Sequence, residues 1–228
     1  MNEIIRQRKS IRTYERKPLD EATLANVREQ IANLKPLYPD IKYSIDIADK
    51  TKGLLAQGSG APNFLVFRSE ESFDAYTNIG FIGQQMDLYF SANGLGSCWL
   101  GMAKPIAKSD LPYVISMAFG KPAEPLHRSL SEFTRKPLSE ISEGTDERLE
   151  AARLAPSGMN AQGWFFVADS GVIRCYRKKS GFVPEKLSCI DIGIALWHIA
   201  SESEGFRFSI EQNAPERKGF IYAGTVGE

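Results

Sequence analysis

Two apolar segments of helix length, each followed by a glycine and then a strand-like run, limit what this chain can fold into. The first spans about Asn78 to Ala92 and ends at Asn93-Gly94; the second spans Ile190 to Glu204 and is followed by Gly205. Helices this apolar belong in an interior, packed on several sides. Strand-length apolar runs flank both. Phe64-Leu65-Val66-Phe67 and Tyr113 to Phe119 surround the first. Phe165-Phe166-Val167, Val172 to Tyr176 and Phe220 to Gly224 surround the second, with a turn at Asp169-Ser170-Gly171. Strand, long buried helix, glycine, strand therefore occurs twice. The echo is imperfect, because the interval from Gly80 to Gly94 is not matched by that from Gly193 to Gly205. Chance similarity between two α+β halves is the competing explanation.

Punctuation supplies the remaining elements. Asp20 is placed to cap a helix whose apolar face is Leu24, Val27, Ile31 and Leu34, and Pro36 stops it. Residues 35–62, rich in Pro and Gly, predict loops with a short strand at Tyr43 to Ile47. Asp146 to Ala155 predicts another helix, and Ser139 to Thr145 is the best linker candidate. The expected division is therefore a first half, residues 1–142, and a shorter second half, residues 143–228, associated closely enough to form one structural domain.

Composition excludes several classes of function. The chain has 228 residues, 43% hydrophobic and 25% charged, which suits a soluble globular protein with a substantial core. Lys+Arg and Asp+Glu each total 28, so no net charge draws it to nucleic acid or an anionic membrane. Its longest apolar runs fall short of the roughly 20 residues that span a bilayer. The N-terminus runs into charge at Glu3 and Arg6, unlike a signal peptide, and a cytoplasmic location is expected. Cys98, Cys175 and Cys189 form no CxxC pair and fit reduced thiols. With two histidines, His127 and His198, neither a zinc site nor a Ser-His-Asp triad is supported.

Four segments carry candidate chemistry. Arg8-Lys9-Ser10-Ile11-Arg12 combines two guanidiniums, an ammonium and a hydroxyl, a set able to surround a phosphate monoester. A solvated basic segment would look the same. Pro156-Ser157-Gly158-Met159-Asn160-Ala161-Gln162-Gly163-Trp164 joins a helix to a strand through small and polar residues. It suits the edge of a heteroaromatic ring, although ordinary turns use the same residue types. Gly94-Leu95-Gly96-Ser97-Cys98-Trp99-Leu100-Gly101 follows a helix, so it lacks the strand-then-helix context of a dinucleotide fingerprint. Its glycines suit either close backbone approach to a ring or a helix end entering a buried strand. Arg135-Lys136-Pro137-Leu138 adds cations that could complete a phosphate site or simply be solvated.

Together these segments resemble the nitroreductase family of FMN-dependent oxidoreductases, although the motifs cover about a quarter of the chain. Their order departs from the family, where the Pro-Ser-x-x-Asn segment lies soon after the N-terminal basic motif. Here it comes late, at Pro156, and no Arg-x-Ser-x-Arg motif precedes Asp146. Family members are homodimers with FMN at the interface, one subunit supplying the basic motif and the other the Pro-Ser-x-x-Asn segment. This chain is similar to a fused, single-chain branch, in which each half keeps its contribution to one site.

The resemblance implies an α+β nitroreductase-like fold: two degenerate half-repeats as an internal pseudo-dimer, each with a mostly antiparallel sheet and helices. It implies one complete FMN site and a degenerate second one. Arg8, Lys9, Ser10 and Arg12, with Arg135, are the residues expected at the phosphate and ribityl end. Pro156, Ser157, Gly158, Asn160 and Gln162, with Leu100 and Gly101, are expected near the flavin ring. The implied reaction is ping-pong, with NADH or NADPH reducing FMN and FMN reducing a nitroaromatic, quinone or similar small acceptor. No side-chain catalyst is required. The alternatives are a flavin-binding sensor or store with little turnover, and a scaffold that has lost FMN. An internal dimer also leaves the chain free to be monomeric.

Overall fold

Asp20 accepts a hydrogen bond from the Thr23 N–H at 2.7 Å, which sets the start of the first substantial helix. The computed structural model describes residues 3–53, 60–179 and 184–227. Its first half contains α1 (Glu3–Gln7), α2 (Glu21–Ala32), β1 (Tyr43–Ala48), β2 (Thr51–Lys52), β3 (Asn63–Ser69), α3 (Phe73–Ala92), β4 (Gly96–Leu100), β5 (Lys104–Pro105) and β6 (Tyr113–Gly120). The second half contains α4 (Leu138–Ile141), β7 (Ser142–Glu143), α5 (Arg148–Leu154), β8 (Trp164–Asp169), β9 (Val172–Lys178), α6 (Glu185–Ala200), β10 (Arg207–Ser209) and β11 (Phe220–Gly227).

The two sheets share one topology. The first has the order β1-β3-β6-β4 with every pair antiparallel. In the second, β8-β9-β11-β10 is the same arrangement, and β7 adds a parallel edge beside β8. In each half the first and second strands pair, a long helix intervenes, and the fourth strand enters between the second and third. The fold is thus α+β with two matching half-repeats. The expected boundary at 142/143 falls inside β7, and the expected linker instead contributes α4 and that edge strand.

The two long helices cross at glycines. A Cβ on Gly80 would overlap the Ile190 carbonyl, and one on Gly193 would overlap the Thr77 carbonyl. Backbone therefore meets backbone where α3 and α6 cross. Ile79, Ile82, Met86, Ile190, Ile194 and Leu196 are buried around the crossing, in one core shared by both sheets.

Helix boundaries differ from the sequence expectation for local reasons. Ser72 accepts from the Ala75 N–H and starts α3 several residues before the expected run, through a mixed first turn. Similarly, α6 begins at Glu185 and ends at Ala200, because the polar residues 201–204 turn away. The hairpin at Ser170-Gly171 forms with positive φ at both residues, 51° and 80°, the conformation a two-residue hairpin favours. Cys98, Cys175 and Cys189 are free and buried. Among the described residues, no helix is long and apolar enough to cross a membrane.

Candidate functional site

The N-terminal basic segment is pinned by its apolar residues. Ile5 and Ile11 are fully buried, and the Ile11 N–H donates to the Ser97 carbonyl at 2.9 Å. Gly96 makes room for it, since a Cβ there would come within 2.7 Å of the Ile11 side chain. With Ile11 fixed, the polar residues on either side are held along one edge of the first sheet.

Arg8 does not present a free charge. Its guanidinium lies 2.6 Å from Asp87, both side chains being 1% exposed, and it also donates to Ser10 Oγ at 3.0 Å. Asp87 further accepts from Ser97 Oγ at 2.7 Å and from Gln84 Nε2 at 2.9 Å. Gln84 Nε2 in turn sits 3.0 Å from His198 Nε2, and His198 Nδ1 is 2.8 Å from the Ala151 carbonyl. The carbonyl assigns the proton to Nδ1, leaving Nε2 to accept from Gln84. Burial pushes His198 down to about 3, which agrees with a neutral ring. A continuous polar chain thus links the basic motif to α5, which leads into the Pro156 turn.

That turn is unusual in its backbone. Met159, Asn160 and Gln162 all have positive φ, at 53°, 55° and 48°. Side chains hold the conformation. Ser157 Oγ accepts from the Gln162 N–H at 2.9 Å, and Asn160 Nδ2 donates to the Thr134 carbonyl at 2.9 Å. Asn160 Oδ1 accepts from Arg135 at 2.7 Å, while Gln162 Oε1 accepts from the Lys136 N–H at 2.7 Å. The Arg135-Lys136 segment of the first half is therefore stitched to the turn of the second.

One cavity of about 420 Å³ lies between these parts. It is lined by Arg8, Lys9, Ser10 and Arg12, by Arg135, and by Pro156, Ser157 and Asn160, all expected from sequence; Glu124, Arg128, Thr134 and Met159 complete it. Larger cavities of about 660 and 890 Å³ lie elsewhere, against Leu138–Leu149 and against Arg16, Lys50 and Phe64. Neither gathers the basic motif with the Pro156 turn, so the smaller one is the chemically informative site.

Its electrostatics favour an anion. Five basic side chains face one carboxylate, Glu124. Asp87 balances Arg8, and Glu124 balances Lys9 at 3.2 Å. Among the described residues no carboxylate pairs with Arg12, Arg128 or Arg135. Burial, together with the charge of Arg8, pushes Arg128 down to about 10. Burial and the charges of Arg128, Arg8 and Arg153 push Arg135 down to about 9. Arg135 Nε is buried without a hydrogen-bond partner. Cations that disfavour one another, with an unused donor among them, fit a doubly charged phosphate monoester.

The remaining expected residues meet at a second point. Methyl carbons of Leu187 lie 4.0 Å from where a Cβ would sit on Gly101 and on Gly158. Gly101 follows β4 of the first half, so Leu187 bridges glycines from both halves, with Leu100 beside them. The Gly158 N–H donates to Asp191 at 2.9 Å. Gln162 is 4% exposed and turned toward Lys136, outside the lining of the cavity.

Sequence reasoning missed Arg128, Asp87 and Asp191. The last two carried a signal, since each is an isolated acid in a largely apolar helix. Arg128 carried none; only folding brings its guanidinium over the Phe133 ring, 3.6 Å from the centroid, beside Arg135.

Fold and site together define a two-half α+β protein with a basic cleft lined from both halves. A structure described as a "putative nitroreductase" from Thermotoga maritima shares this fold: TM-score 0.67 and 21% identity, covering 98% of this chain and 90% of that one. The chain belongs to the nitroreductase family whose model, described as "Putative TM nitroreductase", matches residues 1–203. A nitroreductase family protein from Clostridium difficile aligns at 18% identity and TM-score 0.47, over 61% of this chain and 96% of that one. An FMN-dependent nitroreductase from the same species aligns at 16% identity and TM-score 0.46, over 59% of this chain and 95% of that one. No curated protein matches the chain.

Proposed function

We propose that this nitroreductase-family oxidoreductase holds one FMN between its halves and uses NADH or NADPH to reduce a small acceptor, a nitroaromatic or quinone. It would do so as a cytoplasmic, monomeric enzyme. One observation carries the proposal: the cleft joins Arg8–Arg12 of one half to Pro156–Asn160 of the other and leaves three guanidiniums without a carboxylate.

Arg12, Arg128 and Arg135 would hold the phosphate, with Ser10 as a further donor. Arg8, neutralised by Asp87, would contribute hydrogen bonds and shape more than net charge. The Pro156–Asn160 turn and Leu100-Gly101 would border the ring. Bound FMN would supply hydride and electron transfer, chemistry that no side chain provides. The chain's own part is to neutralise the phosphate, to fix the ring end between two glycine-bearing segments, and to exclude water with Leu187 and Met159.

Two measurements test this. Purified chain reconstituted with FMN should be yellow, and anaerobic NADH or NADPH should bleach it. Protein that stays colourless with added FMN contradicts cofactor binding, while protein that binds FMN but resists reduction is a sensor or store. Arg12→Ala and Arg135→Ala should each weaken FMN binding by roughly ten- to a hundredfold, the scale of a charged hydrogen bond of about 1.5–3 kcal/mol. Unchanged dissociation constants in both would place the phosphate elsewhere.

A further inference from the structure

The two halves hold their proline turns with the same device but different chemistry. Asn78 lies two residues before the crossing glycine of α3, and Asp191 two residues before that of α6. Asn78 Oδ1 accepts from the Leu37 and Tyr38 N–H groups at 2.8 and 3.1 Å, just after Pro36. Asp191 Oδ1 accepts from the Gly158 N–H at 2.9 Å, just after Pro156. An amide is therefore sufficient to hold such a turn. A carboxyl in the same role carries a larger desolvation cost, so its presence calls for a separate reason.

The surroundings of Asp191 supply one. Its side chain is 5% exposed, and among the described residues no hydrogen bond reaches Oδ2. Both oxygens lie 3.7–3.8 Å from where a Cβ would stand on Gly158, so the glycine leaves that side of the carboxyl without a side-chain contact from the turn. Leu187, one helical turn earlier, is the residue that bridges Gly158 to Gly101.

We propose that Asp191, through the Gly158 N–H and its second oxygen, which has no hydrogen-bond partner among the described residues, is a positioning residue for the ring end of the bound flavin and makes the chain's grip on it depend on pH. The proposal rests on the flavin assignment above. In its neutral form Asp191 offers a donor from Oδ2 to a ring rim rich in acceptors, while Oδ1 keeps the Gly158 bond. Once ionised, it has no proton to donate and presents a negative charge instead. Burial pushes it up to about 7, against the smaller opposing effect of the Gly158 N–H, so both forms occur near neutral pH.

Neighbouring charges are engaged elsewhere. Of the groups on elements packed against α6, Asp87 is held by Arg8, Arg148 by Asp146, Arg153 by Glu150, Arg174 by Glu211 and Arg177 by Glu185. Asp74 of α3 and Lys178 of β9 are the remaining charged groups, and burial and Gly158 are what act on Asp191.

The test is the FMN dissociation constant of the full chain from pH 6 to 8.5, read by flavin fluorescence, for the wild type and Asp191→Asn. If only the neutral acid binds well, wild-type affinity falls about tenfold between pH 6 and 8, as the competent fraction drops. Asp191→Asn, which cannot ionise, should show a profile flat within about twofold. A flat wild-type profile, or a variant that titrates like the wild type, overturns the proposal while leaving the flavin assignment intact. No FMN binding at any pH overturns both. Should the variant fail to fold, infrared spectra of wild-type protein labelled with 13C-aspartate decide. A protonated-carboxyl band lost with the same midpoint as the affinity supports the proposal, and aspartates fully ionised across pH 6–8 overturn it.

Discussion

Asp87 and His198 show how individual residues tie the halves together. Arg8, Asp87, Gln84 and His198 form a buried polar chain, and its last bond reaches Ala151 across the domain. Removing either Arg8 or Asp87 leaves the other as an uncompensated buried charge. Asp87→Ala should therefore cost about 3–5 kcal/mol in urea unfolding, and a loss below about 1 kcal/mol would show that Arg8 is balanced otherwise. The two buried titrating groups act with opposite sign on stability. Asp191 binds more protons folded than unfolded, so stability falls as pH rises from about 4 to its folded value of about 7. His198 binds fewer protons folded, so stability falls as pH drops below the ordinary imidazole value of about 6.5 toward 3. Above pH 7 only the Asp191 penalty remains. Asp191→Asn should accordingly raise the Tm more at pH 8 than at pH 5, and a constant offset at both would contradict that linkage.

At the scale of elements, the crossing of α3 and α6 depends on the space at Gly80 and Gly193. Helix propensity alone would make Gly193→Ala stabilising by about 1 kcal/mol. The overlap with the Thr77 carbonyl reverses the sign, and a destabilisation of at least about 1–3 kcal/mol is expected in thermal melts. A higher Tm would mean that the helices are not packed backbone to backbone. Both helices were legible in the sequence because their centres are apolar, but their starts were not. The Phe73–Thr77 turn mixes apolar and polar residues and is capped by Ser72, a signal that periodicity does not register. Strands were recovered because β3, β6, β8, β9 and β11 are dense in Val, Ile and Phe. The role of β7 was hidden, since two polar residues carry no strand pattern and gain one only beside β8. The cleft was legible as separate basic and turn motifs. Their direct contact through Arg135–Asn160 and Lys136–Gln162 required the fold.

For the whole molecule, the matching strand orders explain how the two halves of one chain could share the proposed site. They also explain why the chain should build only one. Pro36-Leu37-Tyr38 is the first-half counterpart of Pro156-Ser157-Gly158, held by Asn78 as the other is by Asp191. Where the second turn has Gly158, the first has Tyr38, whose ring packs edge-on against Phe208 of β10 at 5.5 Å. Side chains thus fill the space that glycines leave open in the other copy, and the second half lacks a basic motif to hold a phosphate there. The central claim is a single cofactor site formed between the halves of one chain. Its most direct measurement is the FMN-to-protein ratio, taken together with the mass in solution. One FMN bound per 25.4 kDa monomer is expected; two per chain, or binding only by a dimer, would contradict the account.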